Sequence, residues 1–144
     1  VTAASGALPG YDAAAPSTRN AWVSTLGRSF MHRRLWLNDP DCVMLRTTDT
    51  QLSGDEARAW AYAVGVSGGL ALVSDDLADL DVDARALLDE IVSIGRAADD
   101  AACRGPAPRC NDLLDPSGPR SFAAAGYQLD ADPSDPRPRF VNNV

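Results

Sequence analysis

Residues 34–45 read RLWLNDPDCVML, and the interpretation of the whole chain starts from this stretch. It opens with a continuous apolar run at 35–37 and then stops at a polar segment in which two aspartates flank a proline. A short apolar run bounded by turn residues is typical of a buried strand. We therefore predict a buried strand that ends in a polar loop, after which the apolar character resumes at 43–45.

The segments on either side predict three helices and a second strand of the same kind. Apolar residues at helical spacing, with capping residues at their starts, predict helices at 17–30, at 54–66 and from 82 to about 100. Ser53 and Glu56 fit a capping box, in which each side chain satisfies the other residue's backbone amide. Residues 70–73 form another apolar run that ends in polar residues.

The order helix, strand, helix, strand, helix predicts an α/β fold with parallel strands that helices cover on both faces. In such folds the loops that follow the strands meet on one rim, where ligands bind. The aspartates after the first strand, Asp39 and Asp41, and those after the second, Asp75 and Asp76, are therefore expected on the same rim.

Composition limits the kinds of function that the chain can have. Its 144 residues suit one ordinary domain, and its net charge of −7 makes nucleic acid an unexpected partner. No apolar stretch is long enough to span a bilayer, and the three cysteines lack zinc-ligand spacing, so we expect no membrane segment, no metal and no cofactor. Residues 1–16 predict a loop, and residues 104–144 predict a linker, a tail or the start of a further domain.

Asp39 and Asp41 invite comparison with the two carboxylates of a glycosidase. In an extended segment their Cα atoms would lie about 6.6 Å apart on one face, near the carboxyl separation of about 5–5.5 Å in retaining glycosidases. A nucleophile and a proton donor must, however, reach the sugar from different sides of the scissile bond. We therefore expect this pair to bind or support a substrate, and a surface loop without a ligand is the alternative.

Other polar and aromatic residues have a functional and a structural interpretation. Trp36 could stack on a sugar face or lie in the core, and Cys42 could line a pocket or be a small buried residue. Asp75 or Asp76 is expected to cap the turn after the second strand. His32, the sole histidine, is expected to pack or to form hydrogen bonds, and Trp22 and Trp60 are expected in the core.

Two motifs carry a family resemblance. The segment MHRRLWLNDPDCVMLR at 31–46, followed by SGGLALVSDDL at 67–77, resembles glycoside hydrolase family thirty-six, the α-galactosidases of the melibiase clan. The resemblance implies a (β/α)₈ TIM barrel, of which this chain would hold only a part: the last two strands with helices six to eight, at 17–103. It covers roughly residues 16–114.

The resemblance also implies a mechanism whose catalytic residues are missing here. Family members are retaining hydrolases with a nucleophilic aspartate in a Lys-x-Asp type motif and an acid/base aspartate on another strand. Neither motif occurs in this sequence, and Asp12, in PGYDAAAP, does not match the acid/base motif. The matching positions are those of the substrate pocket: Asp41 and Cys42 would line it, with Asn38, Asp39 and Ser74 in support and Trp36 as a candidate sugar contact.

The implied function is that of a fragment of a retaining α-galactosidase, which contributes a pocket wall and is inactive by itself. Its substrate would be an α-galactoside oligosaccharide, its location the cytoplasm or, as an alternative, outside the cell, and the full-length enzyme could be a homo-oligomer. Two other functions stay open. The chain could be a small non-catalytic α/β or helical binding module, or part of a raffinose-synthase-like transglycosylase of the same clan.

Overall fold

The computed structural model describes residues 18–111, 121–132 and 135–142. In chain order, its elements are α1 (Thr18–Arg28), a short 3₁₀ turn (Ser29–Met31), α2 (Gly54–Ser67), α3 (Val82–Arg104), β1 (Arg109–Cys110), β2 (Ser121–Ala124), β3 (Tyr127–Asp132) and β4 (Asp135–Asn142). The predicted loop at 1–16, the expected cap at Ser17 and Asp12 lie outside the described residues.

The three helices lie where the sequence predicts them, and local capping explains two of their starts. Ser53 accepts a hydrogen bond from the Glu56 amide at 3.2 Å, and the Glu56 carboxylate accepts one from the Ser53 amide at 2.8 Å, which confirms the capping box before α2. The Asp81 carboxylate caps α3 by accepting the Ala84 amide at 2.8 Å. Both caps satisfy amides that a helix start leaves without partners.

Helix α2 is the centre of the molecule. From Ala59 to the end of the helix every residue is buried, and the small residues among them allow close approach of the neighbouring helix. A side-chain carbon added at Gly65 would lie only 3.2 Å from the carbonyl oxygen of Ile91 in α3, so the helix backbones nearly touch there. Trp60 is 1% exposed, which confirms its predicted place in the core.

The last third of the described chain forms an antiparallel sheet with the strand order β1-β2-β3-β4. Ala125 and Gly126 join β2 to β3, and both have positive φ angles, 54° and 82°. Two consecutive residues with positive φ form the turn that matches the twist of a hairpin. Phe122 and Leu129, directly paired across β2 and β3, are fully buried in the same apolar cluster as the helices.

The predicted α/β fold, a partial TIM barrel with an irregular tail, is wrong. Among the described residues, parallel pairing is confined to two isolated bridges, and residues 109–142 hold an antiparallel sheet where a tail without regular structure was expected. The physical reason is that short apolar runs do not by themselves distinguish a buried strand from other structures.

The run at 35–37 shows this most clearly. It lies three residues after the 3₁₀ turn, and its backbone bonds are local: the Leu35 amide donates to the Met31 carbonyl at 2.9 Å, and the Arg33 amide donates to the Trp36 carbonyl at 2.7 Å. The side chains of Leu35, Trp36 and Leu37 are 74%, 45% and 54% exposed. The segment is therefore an exposed turn and not the buried strand that its composition predicts.

Candidate functional site

The two segments that carry the family resemblance lie side by side although about thirty residues separate them in the sequence. The Leu70 amide donates to the Asn38 carbonyl at 2.9 Å. Further along, the Val43 amide donates to the Leu72 carbonyl at 2.8 Å, and the Ser74 amide donates to the Val43 carbonyl at 3.1 Å. Val43 and Val73 form a parallel bridge. The polar loop and the second motif therefore form one surface, which we call the paired-motif surface (residues 38–46 and 69–75).

Asp39 and Asp41 are exposed on the paired-motif surface, whereas Pro40 between them is buried. Asp41 accepts a hydrogen bond from the Cys42 amide at 2.8 Å, which fixes its carboxylate against its own backbone and leaves the second oxygen available. Cys42 is half-buried with a free thiol, and its carbonyl accepts the indole N–H of Trp60 at 3.0 Å. The core tryptophan thus ties the Asp41–Cys42 pair to helix α2.

Asn38 is buried, and it anchors the start of the paired-motif surface. Its backbone amide donates to the Nδ1 atom of His32 at 3.0 Å, and its side-chain amide donates to the Ser67 carbonyl at 3.1 Å. Its carbonyl accepts the Leu70 amide. These three hydrogen bonds fix Asn38 between the 3₁₀ turn, the end of α2 and the second motif.

The second motif approaches Asn38 so closely that only glycine fits at position 69. Gly69 has a φ of 92°, and a side-chain carbon built there would overlap the Asn38 carbonyl oxygen and lie 2.9 Å from the carbonyl carbon. The Gly69 amide donates to a carboxylate oxygen of Asp99 at 3.0 Å. The close contact and this bond together hold the two motifs in register.

Asp99, near the C-terminal end of α3, is the residue that sequence reasoning missed. Its carboxylate lies 2.5 Å from the Nε2 atom of His32, accepts the Arg33 guanidinium at 2.9 Å and accepts the Gly69 amide. Partial burial acts to raise the pKa of Asp99, but the hydrogen bonds from Arg33, His32 and Gly69 outweigh it, so that its pKa is lowered. The expected hydrogen-bonding role of His32 is confirmed.

A second carboxylate, Asp75, stabilises the other end of the paired-motif surface. Its side chain is 1% exposed, and it accepts the Leu45 amide at 2.5 Å and the Arg46 guanidinium at 3.0 Å. Asp75 therefore joins the two motifs through a buried ion pair, instead of only capping its own turn. Asp76 caps the turn, since its carboxylate accepts the Ala78 amide at 2.9 Å.

Trp36 and Ser74 lie at the surface. Trp36, at 45% exposure, is not a core residue, and its indole is open to a planar partner. The Ser74 hydroxyl is exposed and directed at the Val43 carbonyl, 3.4 Å away. Leu35, Leu37, Leu70 and Leu72 are also about half exposed or more, so both motifs present apolar side chains to the outside.

The clefts of the described part of the chain differ from the paired-motif surface in position and chemistry. The cleft between α3 and the β2–β3 hairpin has a volume of about 300 Å³ and is lined mainly by alanine and proline. Another cleft, of about 250 Å³, lies beside the starts of α2 and α3 and includes Arg46 and Arg58. Neither of these two clefts includes Asp41 or Cys42.

Three further findings bear on the class of protein. No protein-family model matches the sequence. Within the described ranges, no group of three or more His, Cys, Asp or Glu side chains is arranged to hold a metal ion. None of the helices in those ranges is both long enough and apolar enough to cross a membrane.

Proposed function

We propose that this chain supplies a galactose-contacting wall of a retaining α-galactosidase-like glycoside hydrolase and lacks that enzyme's two catalytic aspartates. The observation that carries the proposal is the pairing of the two resemblance motifs, through the bonds at Asn38, Val43 and Ser74. Two sequence motifs that define one sugar pocket must be adjacent in space, and these two are.

The chemistry of the paired-motif surface suits a sugar. Asp41 presents a carboxylate oxygen that can accept hydrogen bonds from two neighbouring hydroxyl groups, and charge-assisted bonds of this kind are the stronger ones. Trp36 precedes this surface by two residues, and its half-exposed indole could pack on the apolar side of a sugar ring. Cys42 is small and half-buried, which leaves room beside Asp41. Asp39 is a second exposed carboxylate on the same segment.

The same geometry argues against catalysis by these residues alone. Asp39 and Asp41 belong to one short segment and reach a bound sugar from one side, whereas retention of configuration needs two carboxyl groups on different sides of the scissile bond. The buried carboxylate of Asp75 and the partly buried carboxylate of Asp99 are occupied by backbone amides and arginines. A binding wall is therefore the function that fits this surface.

Galactose binding to the 144-residue chain tests the proposal. We would titrate the ¹⁵N-labelled chain with galactose and, as a control, with glucose, its epimer at one hydroxyl, and follow the amides of Asp41 and Cys42. A wall that contacts one side of the sugar should bind weakly, with a dissociation constant on the order of millimolar or above. Asp41→Asn should weaken binding about tenfold, the usual effect of losing a charged hydrogen bond.

The matched control is Asp89→Asn, which makes the same change in charge at an exposed position on α3. It should leave galactose binding unchanged. Equal losses in the two variants would mean that only net charge matters, and equal responses to glucose and galactose would mean that the surface does not recognise the sugar. Either result would refute the proposal.

A further inference from the structure

The single histidine of the chain connects the paired-motif surface to helix α3. His32 is 1% exposed, and both of its ring nitrogens are engaged. Nδ1 accepts the Asn38 backbone amide at 3.0 Å, so Nδ1 carries no proton. Nε2 then carries the ring proton and donates a hydrogen bond to the Asp99 carboxylate, 2.5 Å away. The two bonds together define a neutral imidazole with its proton on Nε2.

The Asp99 carboxylate is therefore hydrogen-bonded to both motifs. It holds the first motif through His32 and the Asn38 amide, and it holds the second directly through the Gly69 amide at 3.0 Å. Asn38 immediately precedes the exposed segment that begins at Asp39. Asp99 orients the His32 ring, and the ring in turn orients Asn38. We call this arrangement a positioning relay.

We propose that His32, oriented by Asp99, is a positioning residue for the galactose-contacting segment and acts through its unprotonated Nδ1. The inference rests on the proposed function for its consequence in sugar binding, while the relay itself can be tested without any sugar. A second proton on the ring would turn Nδ1 into a donor that faces the Asn38 N–H. The bond to Asn38 would then be lost, and the segment that contains Asp41 would lose its anchor.

The surroundings of His32 contain charges of both signs. Asp99 on α3 favours the doubly protonated ring, and Arg33 beside it opposes it. From the sheet side, Arg109 and Tyr127 line the cleft that His32 also lines. From α2, Ser67 and Gly68 add uncharged groups, and a side-chain carbon added at Gly68 would lie only 3.0 Å from Nε2.

A pair of variants separates the two ring nitrogens. In His32→Asn the side-chain oxygen takes the place of Nδ1 and can accept the Asn38 amide, but the contact with Asp99 is lost. In His32→Gln the side-chain nitrogen takes the place of Nε2 and can donate to Asp99, but the Asn38 amide loses its acceptor. Each variant removes one hydrogen bond from the same buried site, so a merely structural role would affect both alike.

The experiment uses NMR on the full 144-residue chain, in which the one imidazole gives unambiguous signals. We expect the ring spectrum to show the Nε2–H form at neutral pH, with Nδ1 as the unprotonated acceptor of the Asn38 amide. His32→Asn should keep the Asn38 amide shift and bind galactose within about twofold of wild type. His32→Gln should lose that shift and bind about fivefold more weakly, as expected for one lost hydrogen bond.

A ring with its proton on Nδ1 would overturn the relay, and so would equal effects of the two variants on the Asn38 amide. Absence of galactose binding by the wild-type chain would instead count against the proposed function, because the ring and amide signals report on the relay without sugar. If one variant does not fold, the wild-type ring spectrum still decides, because it shows which ring nitrogen carries the proton.

Discussion

Replacing Gly69 by alanine should be among the most damaging single changes in this chain, although it adds only one methyl group. Gly69 has a φ of 92°, and the added carbon would overlap the Asn38 carbonyl oxygen and lie 2.9 Å from the carbonyl carbon. Both are backbone atoms, so the overlap is relieved only when one of the two motifs moves.

The cost follows from what that movement breaks. A positive φ costs a residue with a side chain about 1–2 kcal/mol. Moving the segment stretches the bond from the Leu70 amide to the Asn38 carbonyl and the bond from the Gly69 amide to Asp99, each worth about 1 kcal/mol net. Together these contributions give a loss of about 3–4 kcal/mol in the free energy of unfolding, a large share of the roughly 5–15 kcal/mol that a typical domain has.

Gly54 supplies the matched control. It is the first residue of α2, and a side-chain carbon built there meets nothing within 4 Å. Gly54→Ala should leave stability unchanged or raise it by up to about 1 kcal/mol, because alanine is the better helix former. Urea unfolding followed by far-UV circular dichroism measures both variants. If the free energies of unfolding of Gly69→Ala and Gly54→Ala differ by less than about 0.5 kcal/mol, the close approach of Gly69 to Asn38 is not a feature of the folded protein.

Two further predictions concern pH and activity. Because the folded pKa of Asp99 is lowered, its ionised form stabilises the fold at neutral pH, and that contribution is lost as the pH falls below the usual carboxyl value of 3.8. Asp99→Asn should lower the free energy of unfolding at pH 7 and flatten its decline below pH 3.8. Urea unfolding at a series of pH values measures this. If the free energy of unfolding falls equally steeply with acid in the variant and the wild type, the prediction is wrong. The 144-residue chain should release no p-nitrophenol from p-nitrophenyl α-galactoside, because both candidate carboxylates lie on one segment; steady turnover that Asp41→Asn abolishes would show that the segment is catalytic.

The helices were predictable because their signals are local. The capping box at Ser53 and Glu56 and the cap at Asp81 act within one turn, and the burial of Trp60 follows from apolar spacing along the same helix. A residue's own neighbours in the chain settle such features, whatever the rest of the molecule does. The predicted bounds of α2 and α3 accordingly lie within a few residues of those in the structure.

The strands were not predictable in the same way, because their pairing is not local. The run at 35–37 satisfies its backbone groups within the turn that follows Met31 and exposes its side chains, which composition alone does not reveal. The opposite error concerns β4, whose sequence, DPRPRFVN, resembles a linker although it forms a strand. Proline lacks the amide that a central strand needs, but β4 is an edge of the sheet, where one side of the strand needs no partner.

The candidate site combines both kinds of feature. The polar NDPD segment with its two aspartates stands out in the sequence directly, and both aspartates are exposed in the structure. Their anchor does not: His32 reaches Asp99 across 67 positions of sequence, and Asp99 reaches back to Gly69 across 30. An aspartate near the end of a long amphipathic helix carries no local sign of such a role. The sugar contacts therefore stay a prediction from the sequence, whereas the residues that hold the NDPD segment in place become visible only when the helix is packed against both motifs.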